Sequence, residues 1–324
     1  MKRTLSILLV LILVVGMFAG CQAKTKDAED IKIGMIPKFT GVDYFIACEN
    51  GAYKAAEDLG VTVDWQGDPS GQETAANQQA YIQTFIDKEY DAILVSALDA
   101  ESYADTLKAA MASGILVLTW DADVNPEARD YFVNQTENAD IGSAMTSGMA
   151  NSFSEDGKVV VVSSDPNASN QNAWIAAIKD EYEAKKDSDY SHITFIDEII
   201  YAGNNQADAD TAVNTVMTQN PDLKGVFALS SMATPATVKA SEDLGKEVGE
   251  VGIAALGVPV TSVDAMESGL MPTVVLWQPY DLGYLAVNLA VDLLTGKVEK
   301  GMTEYASALS GNSQIGDTNY PAAQ

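Results

Sequence analysis

The stretch DAILVSALDAESYADTLKAAMASGILVLTWDAD, residues 91–123, determines the fold class of this chain. It contains two short apolar runs, 91–97 and 115–120, on either side of a segment with helical spacing, 100–113, which Gly114 closes. A short apolar run between turn signals is typical of a strand that is buried on both faces. A strand, a helix and a second strand in this order predict a crossover within a parallel sheet.

The same alternation of strand and helix patterns continues in both directions along the chain. Upstream, we predict strands at 31–37 and 61–65 and helices at 44–59 and 73–88. After a short strand at 131–134, a second series follows, with strands at 158–163, 193–200, 225–229, 251–256 and 273–277 and helices at 141–153, 171–185, 207–219, 234–244, 260–267 and 282–294. Two series of similar length predict an α/β chain with two doubly wound parallel-sheet lobes and a ligand cleft between them. The tail beyond Gly296 is predicted to be irregular, with one short strand.

Polar and aromatic residues follow the predicted strands, at the edge where open α/β sheets bind ligands. The candidate ligand-binding residues are Lys38, Tyr44, Phe45, Asp121, Asn170, Gln171, Trp174, Leu229, Ser231, Trp277 and Gln278. Carboxylate, ammonium and amide groups can bind sugar hydroxyls, and aromatic faces cover the apolar side of a ring. Because no arginine and no glycine-rich loop accompanies them, the set favours a small polyhydroxylated ligand over a phosphorylated one.

Each candidate also has a purely structural interpretation. Lys38 can be a solvated charge, and Asp121 can cap the segment that follows it, as we expect for Asp123. Trp174 and Trp277 can simply pack between the lobes, and Asn170 is also an ordinary helix N-cap candidate.

The first residues of the chain have the pattern of a secretory signal. Lys2 and Arg3 precede an apolar run, 5–15, which is too short for a comfortable membrane span. The stretch Phe18-Ala19-Gly20-Cys21 resembles a bacterial lipobox, with phenylalanine where leucine is commonest. We therefore predict a lipoprotein signal peptide at 1–20 and lipidation of Cys21, which ties the protein to a membrane from outside the cytoplasm. The alternative is an ordinary secreted protein in which the cysteine occurs by chance.

Composition excludes several classes of function. Residues 21–30 are polar and are predicted to form a tether. Loss of Lys2 and Arg3 with the signal would change the net charge of the chain from −27 to −29. Such an acidic surface repels nucleic acid. Lipidation of Cys21 would leave Cys48 without a disulfide partner, and one histidine, His192, gives little support for a Ser-His-Asp triad. The sequence has no zinc, nucleotide or dinucleotide motif, so we expect no cofactor and no metal.

Several stretches of the chain are similar to one known family. They are IPK at 36–38, GVDYF at 41–45, LTWDAD at 118–123, YFVNQ at 131–135, NQNAW at 170–174 and LW at 276–277. On these stretches, the chain resembles the type I periplasmic binding proteins, the sugar-binding group that feeds ABC importers. The resemblance covers nearly all of residues 31–300. Within that group it is most similar to the autoinducer-2-binding receptors, and next to the rhamnose-type receptors.

The resemblance implies roles for particular residues. Lys38, Asp121 and Gln171 would hold the hydroxyls and ring oxygen of the ligand. Family members often have aspartate where this chain has Asn170, and aspartate where it has Gln278. The stretch 229–231, Leu-Ser-Ser, stands where the family commonly has Pro-Asp-Ala. These differences leave autoinducer-2, rhamnose and other deoxysugars as candidate ligands.

The resemblance also implies a three-segment hinge between the lobes. Its crossings would lie near 135–136, at 278–280 and after about residue 304. The N-terminal lobe would then comprise 31–135 and 279–304, and the C-terminal lobe 136–278 and 305–324.

The leading hypothesis is a monomeric, lipid-anchored extracytoplasmic receptor that delivers its ligand to ABC permease subunits. One rival is an extracellular enzyme with Asp121 and Asp123 as an acid/base pair, but these residues lie two apart and are expected to diverge. A second rival is a sensor that presents its ligand-bound form to a membrane kinase. A DNA-binding repressor with a similar ligand-binding fold is disfavoured, because a signal sequence stands where the DNA-binding domain would be.

Overall fold

A computed structural model of the chain describes residues 26–69, 72–298, 304–307 and 311–314, and the predicted signal peptide, Cys21 and most of the tail lie outside these ranges. The strands are β1 (Lys32–Ile36), β2 (Thr62–Trp65), β3 (Ala92–Val95), β4 (Leu116–Trp120), β5 (Tyr131–Val133), β6 (Gly157–Ser163), β7 (Ile193–Tyr201), β8 (Leu223–Ala228), β9 (Gly252–Leu256), β10 (Thr273–Val275), β11 (Glu304–Ser307) and β12 (Gly311–Gln314). The helices are α1 (Asp43–Leu59), α2 (Ala75–Asp87), α3 (Ala104–Ala112), α4 (Asn138–Ala150), α5 (Ser169–Lys185), α6 (Gln206–Gln219), α7 (Ala233–Asp243), α8 (Pro259–Glu267) and α9 (Pro279–Leu294), with 3₁₀ turns at Ala28–Asp30 and Pro126–Ala128.

Two five-stranded parallel sheets form the framework. Their strand orders are β2-β1-β3-β4-β5 and β7-β6-β8-β9-β10. In each sheet, the strand that comes first along the chain lies second in the sheet, so the chain builds the same doubly wound topology twice. The predicted α/β class with two parallel-sheet lobes is thereby confirmed.

Each sheet is covered on both faces, which explains why its strands are apolar almost throughout. Residues of β1 alternate between the two faces, so that Ile33 and Met35 pack against α1 and α9, whereas Ile36 packs with α2 and α3 on the other face. In the second sheet, α6, α7 and α8 contribute to the core on one face, and α4 and α5 to the core on the other. Within the described ranges, we find no helix with the length and apolarity needed to cross a membrane.

Helix α9 follows the second sheet in the chain but completes the core of the first. It packs closely against α1 through two glycines, Gly51 and Gly283. A Cβ atom at Gly51 would lie 1.9 Å from the Tyr280 carbonyl oxygen, and one at Gly283 would lie 1.9 Å from the Cys48 carbonyl oxygen. Neither backbone could approach so closely with a larger residue. This packing agrees with interleaved lobes, although the predicted limits of the lobes stay predictions.

Several elements differ in extent from those predicted. The helix predicted from residue 100 begins at Ala104, because the Asp99 carboxylate accepts hydrogen bonds from the backbone N–H groups of Glu101 and Ser102 and holds a turn there. The helix predicted from residue 282 begins at Pro279, since proline is well suited to the first helical position. The strand predicted to reach residue 277 ends at Val275. In the tail, the antiparallel pair β11 and β12 replaces the single strand expected there.

Candidate ligand-binding site

The carboxyl ends of the two sheets line one cavity, of about 1010 Å³ including the part open to solvent. Among its lining residues are Lys38, Tyr44, Phe45, Asp121, Asn170, Gln171, Trp174, Leu229, Ser231 and Trp277, all predicted as ligand-binding residues. Gln278, the remaining candidate, does not line the cavity; it is exposed and stands at the N-cap of α9. The structure therefore brings together all but one of the candidates, and their contact with a ligand stays a prediction.

Asp121 is the buried carboxylate of this cavity. It follows β4 directly, has a left-handed backbone (φ 61°) and is only 2 % exposed. Its Oδ1 accepts a hydrogen bond from Tyr44 Oη at 2.9 Å, and its Oδ2 accepts one from Ser96 Oγ at 2.8 Å. A carboxylate has about four acceptor positions. The protein thus orients both oxygens of Asp121 and leaves each with capacity for a ligand hydroxyl.

Lys38 supplies the positive charge beside Asp121. Its Nζ donates to Asn170 Oδ1 at 2.9 Å, which joins the end of β1 to the start of α5 across the cleft. Burial lowers the pKa of Lys38, and the charges of Asp121 and Asp165 oppose this effect. Burial raises the pKa of Asp121, whereas the charge of Lys38 and the hydrogen bonds from Ser96 and Tyr44 act to lower it. Each charge therefore favours the ionised form of the other.

Aromatic side chains connect the carboxylate to the segment between β10 and α9. Trp277 Nε1 donates to Tyr44 Oη at 2.7 Å, and Tyr44 in turn donates to Asp121. The rings of Tyr44 and Trp277 meet edge to face with centroids 5.9 Å apart, and Trp174 lies 5.5 Å from Trp277. Burial and the nearby Asp121 raise the pKa of Tyr44 well above its usual range, so its phenol keeps the proton that it donates.

Gln171 lies in the second lobe, at the start of α5, and its amide is hydrogen-bonded to the end of β6. Its Oε1 accepts from Ser163 Oγ and from the backbone N–H of Ser164, both at 2.7 Å, and its Nε2 donates to Ser164 Oγ at 2.8 Å. These contacts fix the orientation of the amide and leave one N–H of Nε2 for a further partner.

Asp123 has a structural role outside this cavity. Its two oxygens accept a bidentate pair of hydrogen bonds from Arg129, from Nε at 2.8 Å and from Nη2 at 2.7 Å. The expected cap is also present, because Asp123 Oδ1 accepts from the backbone N–H of Val124 at 2.9 Å. Asp121 faces the cavity and Asp123 faces Arg129, so the two carboxylates do not converge as an acid/base pair would.

Sequence reasoning missed several lining or supporting residues. Ser96, which orients Asp121, is the one hydroxyl in the apolar run at 91–97 and stands directly after β3, a position that could have identified it. Leu256, Val258 and Val275 also line the cavity, but apolar residues at strand ends carry no signal that separates them from core residues. Among the described residues, no cluster of histidine, cysteine, aspartate and glutamate is arranged to hold a metal ion.

The chain is similar to solved solute-binding proteins along most of its length. LsrB from Clostridium saccharobutylicum in complex with AI-2 matches with a TM-score of 0.81 and 23 % identity over 90 % of this chain and 91 % of that one. An ABC transporter solute-binding protein from Clostridium phytofermentas with bound L-rhamnose matches with a TM-score of 0.79 and 24 % identity over 88 % and 93 %. One from Burkholderia graminis in complex with D-arabinose matches with a TM-score of 0.75 and 28 % identity over 85 % and 92 %.

At these identities, the two Clostridium structures support the fold alone. A model of the periplasmic binding protein domain matches residues 33–298, which is most of the chain. That family consists of extracytoplasmic solute receptors, in agreement with the two lobes and the cavity between them. The chain therefore belongs to the periplasmic binding proteins, of type I.

Proposed function

We propose that this protein is the solute-binding lipoprotein of an ABC importer and that it binds a small, neutral, sugar-like molecule, with AI-2 as the leading candidate. L-Rhamnose or another deoxysugar is the alternative ligand. The observation that carries the proposal is the buried pair of Asp121 and Lys38, held in a cavity between two lobes and flanked by aromatic rings. A buried carboxylate with free acceptor positions suits hydroxyl groups, because bonds to an ionised acceptor are strong.

The charges along the cavity favour a neutral ligand over an anionic one. Lys38 is accompanied by three carboxylates, those of Asp43, Asp121 and Asp165, and no arginine is among the lining residues that the structure describes. A phosphate or a sugar acid would meet more negative than positive charge. This arrangement supports uptake of free sugars or AI-2 rather than of their phosphorylated forms.

Ligand-dependent stabilisation tests the proposal. At about 100 times its dissociation constant, a ligand that binds only the folded state should raise the free energy of unfolding by about 2.7 kcal/mol. We expect one molecule of AI-2, L-rhamnose or a related sugar to bind per monomer in a thermal-shift and calorimetry screen, and to be recovered chemically unchanged. Recovery of a chemically altered ligand would show that the protein is an enzyme. The proposal would be contradicted if none of these compounds stabilised the protein.

We further propose that lipid on Cys21 holds the mature monomer at the membrane, where its partners are the permease subunits. Support comes from the pattern of the first 21 residues, since Cys21 lies outside the described part of the chain. Labelled fatty acid should enter the wild-type protein but not the Cys21→Ser variant. Cys48→Ala is the matched control, because Cys48 is buried in the folded core and its loss should leave labelling intact. Label retained by the Cys21→Ser variant would exclude lipidation at this residue.

A further inference from the structure

The start of helix α5 contacts the first lobe at points outside the ligand cavity. Ser169 Oγ donates a hydrogen bond to the backbone carbonyl of Asp123 at 2.8 Å, which joins α5 to the loop that follows β4. A second contact joins the Asn167 side chain to Asp99, in the loop that follows β3. None of these residues is among the described residues that line the cavity, so both contacts form without help from a ligand atom.

The contact between Asn167 and Asp99 affects the charge of the carboxyl group. Burial raises the pKa of Asp99, but the hydrogen bonds that it accepts from Glu101, Ser102 and Asn167 lower it overall. Asp99 is therefore an ionised acceptor, and hydrogen bonds to an ionised acceptor are stronger than those between neutral groups.

Helix α5 begins without a side-chain cap, although capping residues stand next to its start. The N-cap residue is Ala168, which provides no side-chain hydrogen bond, and Asn167 and Ser169 lie on either side of it. Asparagine and serine are among the residues most favoured for satisfying the first N–H groups of a helix. Here their side chains bond to the other lobe instead, so the start of α5 serves the contact between lobes rather than the helix.

The loops that receive these bonds are fixed within the first lobe. Asp99 accepts hydrogen bonds from the backbone N–H groups of Glu101 at 2.9 Å and Ser102 at 2.8 Å, and Asp123 is held by Arg129 through two hydrogen bonds. Both acceptors are thus in place before the lobes meet. Less conformational entropy is lost when such groups pair than when two mobile loops pair.

We infer that Asp99, Asn167 and Ser169 set the affinity of this protein without touching the ligand, because they form a latch between the lobes. The latch consists of the contact of Asn167 with Asp99 and that of Ser169 with the Asp123 carbonyl. It stabilises the closed arrangement of the lobes by the same amount with any ligand and with none. The inference goes beyond the proposed function, since it does not depend on which molecule the cavity binds.

The expected size of the effect follows from the free energy of a hydrogen bond. A net contribution of this size changes an equilibrium constant by about threefold to tenfold. Loss of both latch contacts should therefore lower the ratio of closed to open protein by roughly tenfold to a hundredfold. A ligand that binds only the closed arrangement loses affinity in proportion to the fraction of protein that is closed.

Distances between the lobes, measured without any added compound, test the latch directly. Spin labels at Ala109→Cys in α3 and Ala184→Cys in α5 report the separation, since both positions are exposed and Cys48 is buried. The full chain is first refolded from denaturant to remove any molecule bound during purification. With the natural latch, double electron–electron resonance should detect a closed population. The additional changes Asn167→Ala and Ser169→Ala together should reduce its ratio to the open form by roughly tenfold or more.

Two further variants separate the latch from a general effect on α5. Asn172 is an exposed asparagine of the same helix, but its Nδ2 donates to the Pro166 carbonyl of its own lobe at 2.7 Å, so Asn172→Ala should leave the distances unchanged. Ser169→Thr retains the hydroxyl group and should keep the closed population that Ser169→Ala loses. Circular dichroism and thermal melting report whether each variant is folded.

Calorimetry gives a second readout with any two compounds that bind, such as AI-2 and L-rhamnose. The double variant should weaken both by one common factor, equal to the ratio of the closed fractions measured with the spin labels. Gln171→Ala, which changes the cavity itself, should weaken the two compounds by different factors.

The inference would be overturned if the empty protein had no closed population or if the double variant kept it. It would also be overturned if the double variant weakened the two compounds by different factors. Failure of every compound to bind would contradict the proposed function alone, because the distance measurement needs no ligand.

Discussion

Replacement of Asp121 by asparagine should weaken binding of the ligand by about tenfold to a hundredfold. Hydrogen bonds to a charged group contribute about 1.5–3 kcal/mol, and each 1.4 kcal/mol corresponds to a factor of ten in affinity. Asparagine preserves the size of the side chain and tolerates the left-handed backbone at this position (φ 61°), which alanine would strain. The change therefore removes the charge with little effect on the fold, and isothermal titration calorimetry measures the loss.

The control for this prediction is Asp43→Asn. Asp43 also lines the cavity, but its side chain is exposed, so its charge is screened by water and its loss should change affinity little. Circular dichroism and thermal melting of both variants report whether the fold is retained. Wild-type affinity in Asp121→Asn would show that the carboxylate does not bind the ligand, and the proposed site would then be wrong.

Replacement of Asp123 by alanine should lower the free energy of unfolding by about 3–5 kcal/mol, more than any other substitution proposed for this protein. Arg129 is only 1 % exposed, and its guanidinium donates two hydrogen bonds to the Asp123 carboxylate, at 2.8 and 2.7 Å. Removal of one member of a buried ion pair leaves the other charge poorly compensated. The resulting loss of folding free energy is larger than the stabilisation that the intact pair provides. Urea denaturation measures the difference.

Glu127→Ala provides a control from the same segment of chain. Glu127 also forms an ion pair, with Lys108 at 3.4 Å, but its side chain is 62 % exposed. Water screens the charges of an exposed pair, so this variant should unfold almost like the wild type. Equal stability of the Asp123→Ala and Glu127→Ala variants would mean that other groups satisfy the Arg129 guanidinium when Asp123 is absent.

Sequence patterns predicted the layers of this fold because buried parallel strands and amphipathic helices have distinct spacings. The strand-end rule then placed Lys38 and Asp121 at the carboxyl edge of one sheet and Gln171 at that of the other, where the structure also has them. The partnership of Asp123 with Arg129 could not be predicted, because a charged residue in a polar loop is usually exposed. Whether an apolar residue such as Leu256 lines a cavity or a core depends on the packing of both lobes, which local patterns do not encode.

The packing of α9 against α1 has a consequence for the order in which the chain can fold. The second sheet is built from one continuous stretch, from Gly157 to Val275, whereas the core of the first also needs residues from Leu282 to Val298. The N-terminal lobe therefore cannot bury its core until nearly the whole polypeptide is available, which reverses the usual tendency of N-terminal domains to complete folding first during synthesis. The late position of α9 in the sequence therefore leaves the apolar core of the first sheet incompletely buried until this helix has been synthesised.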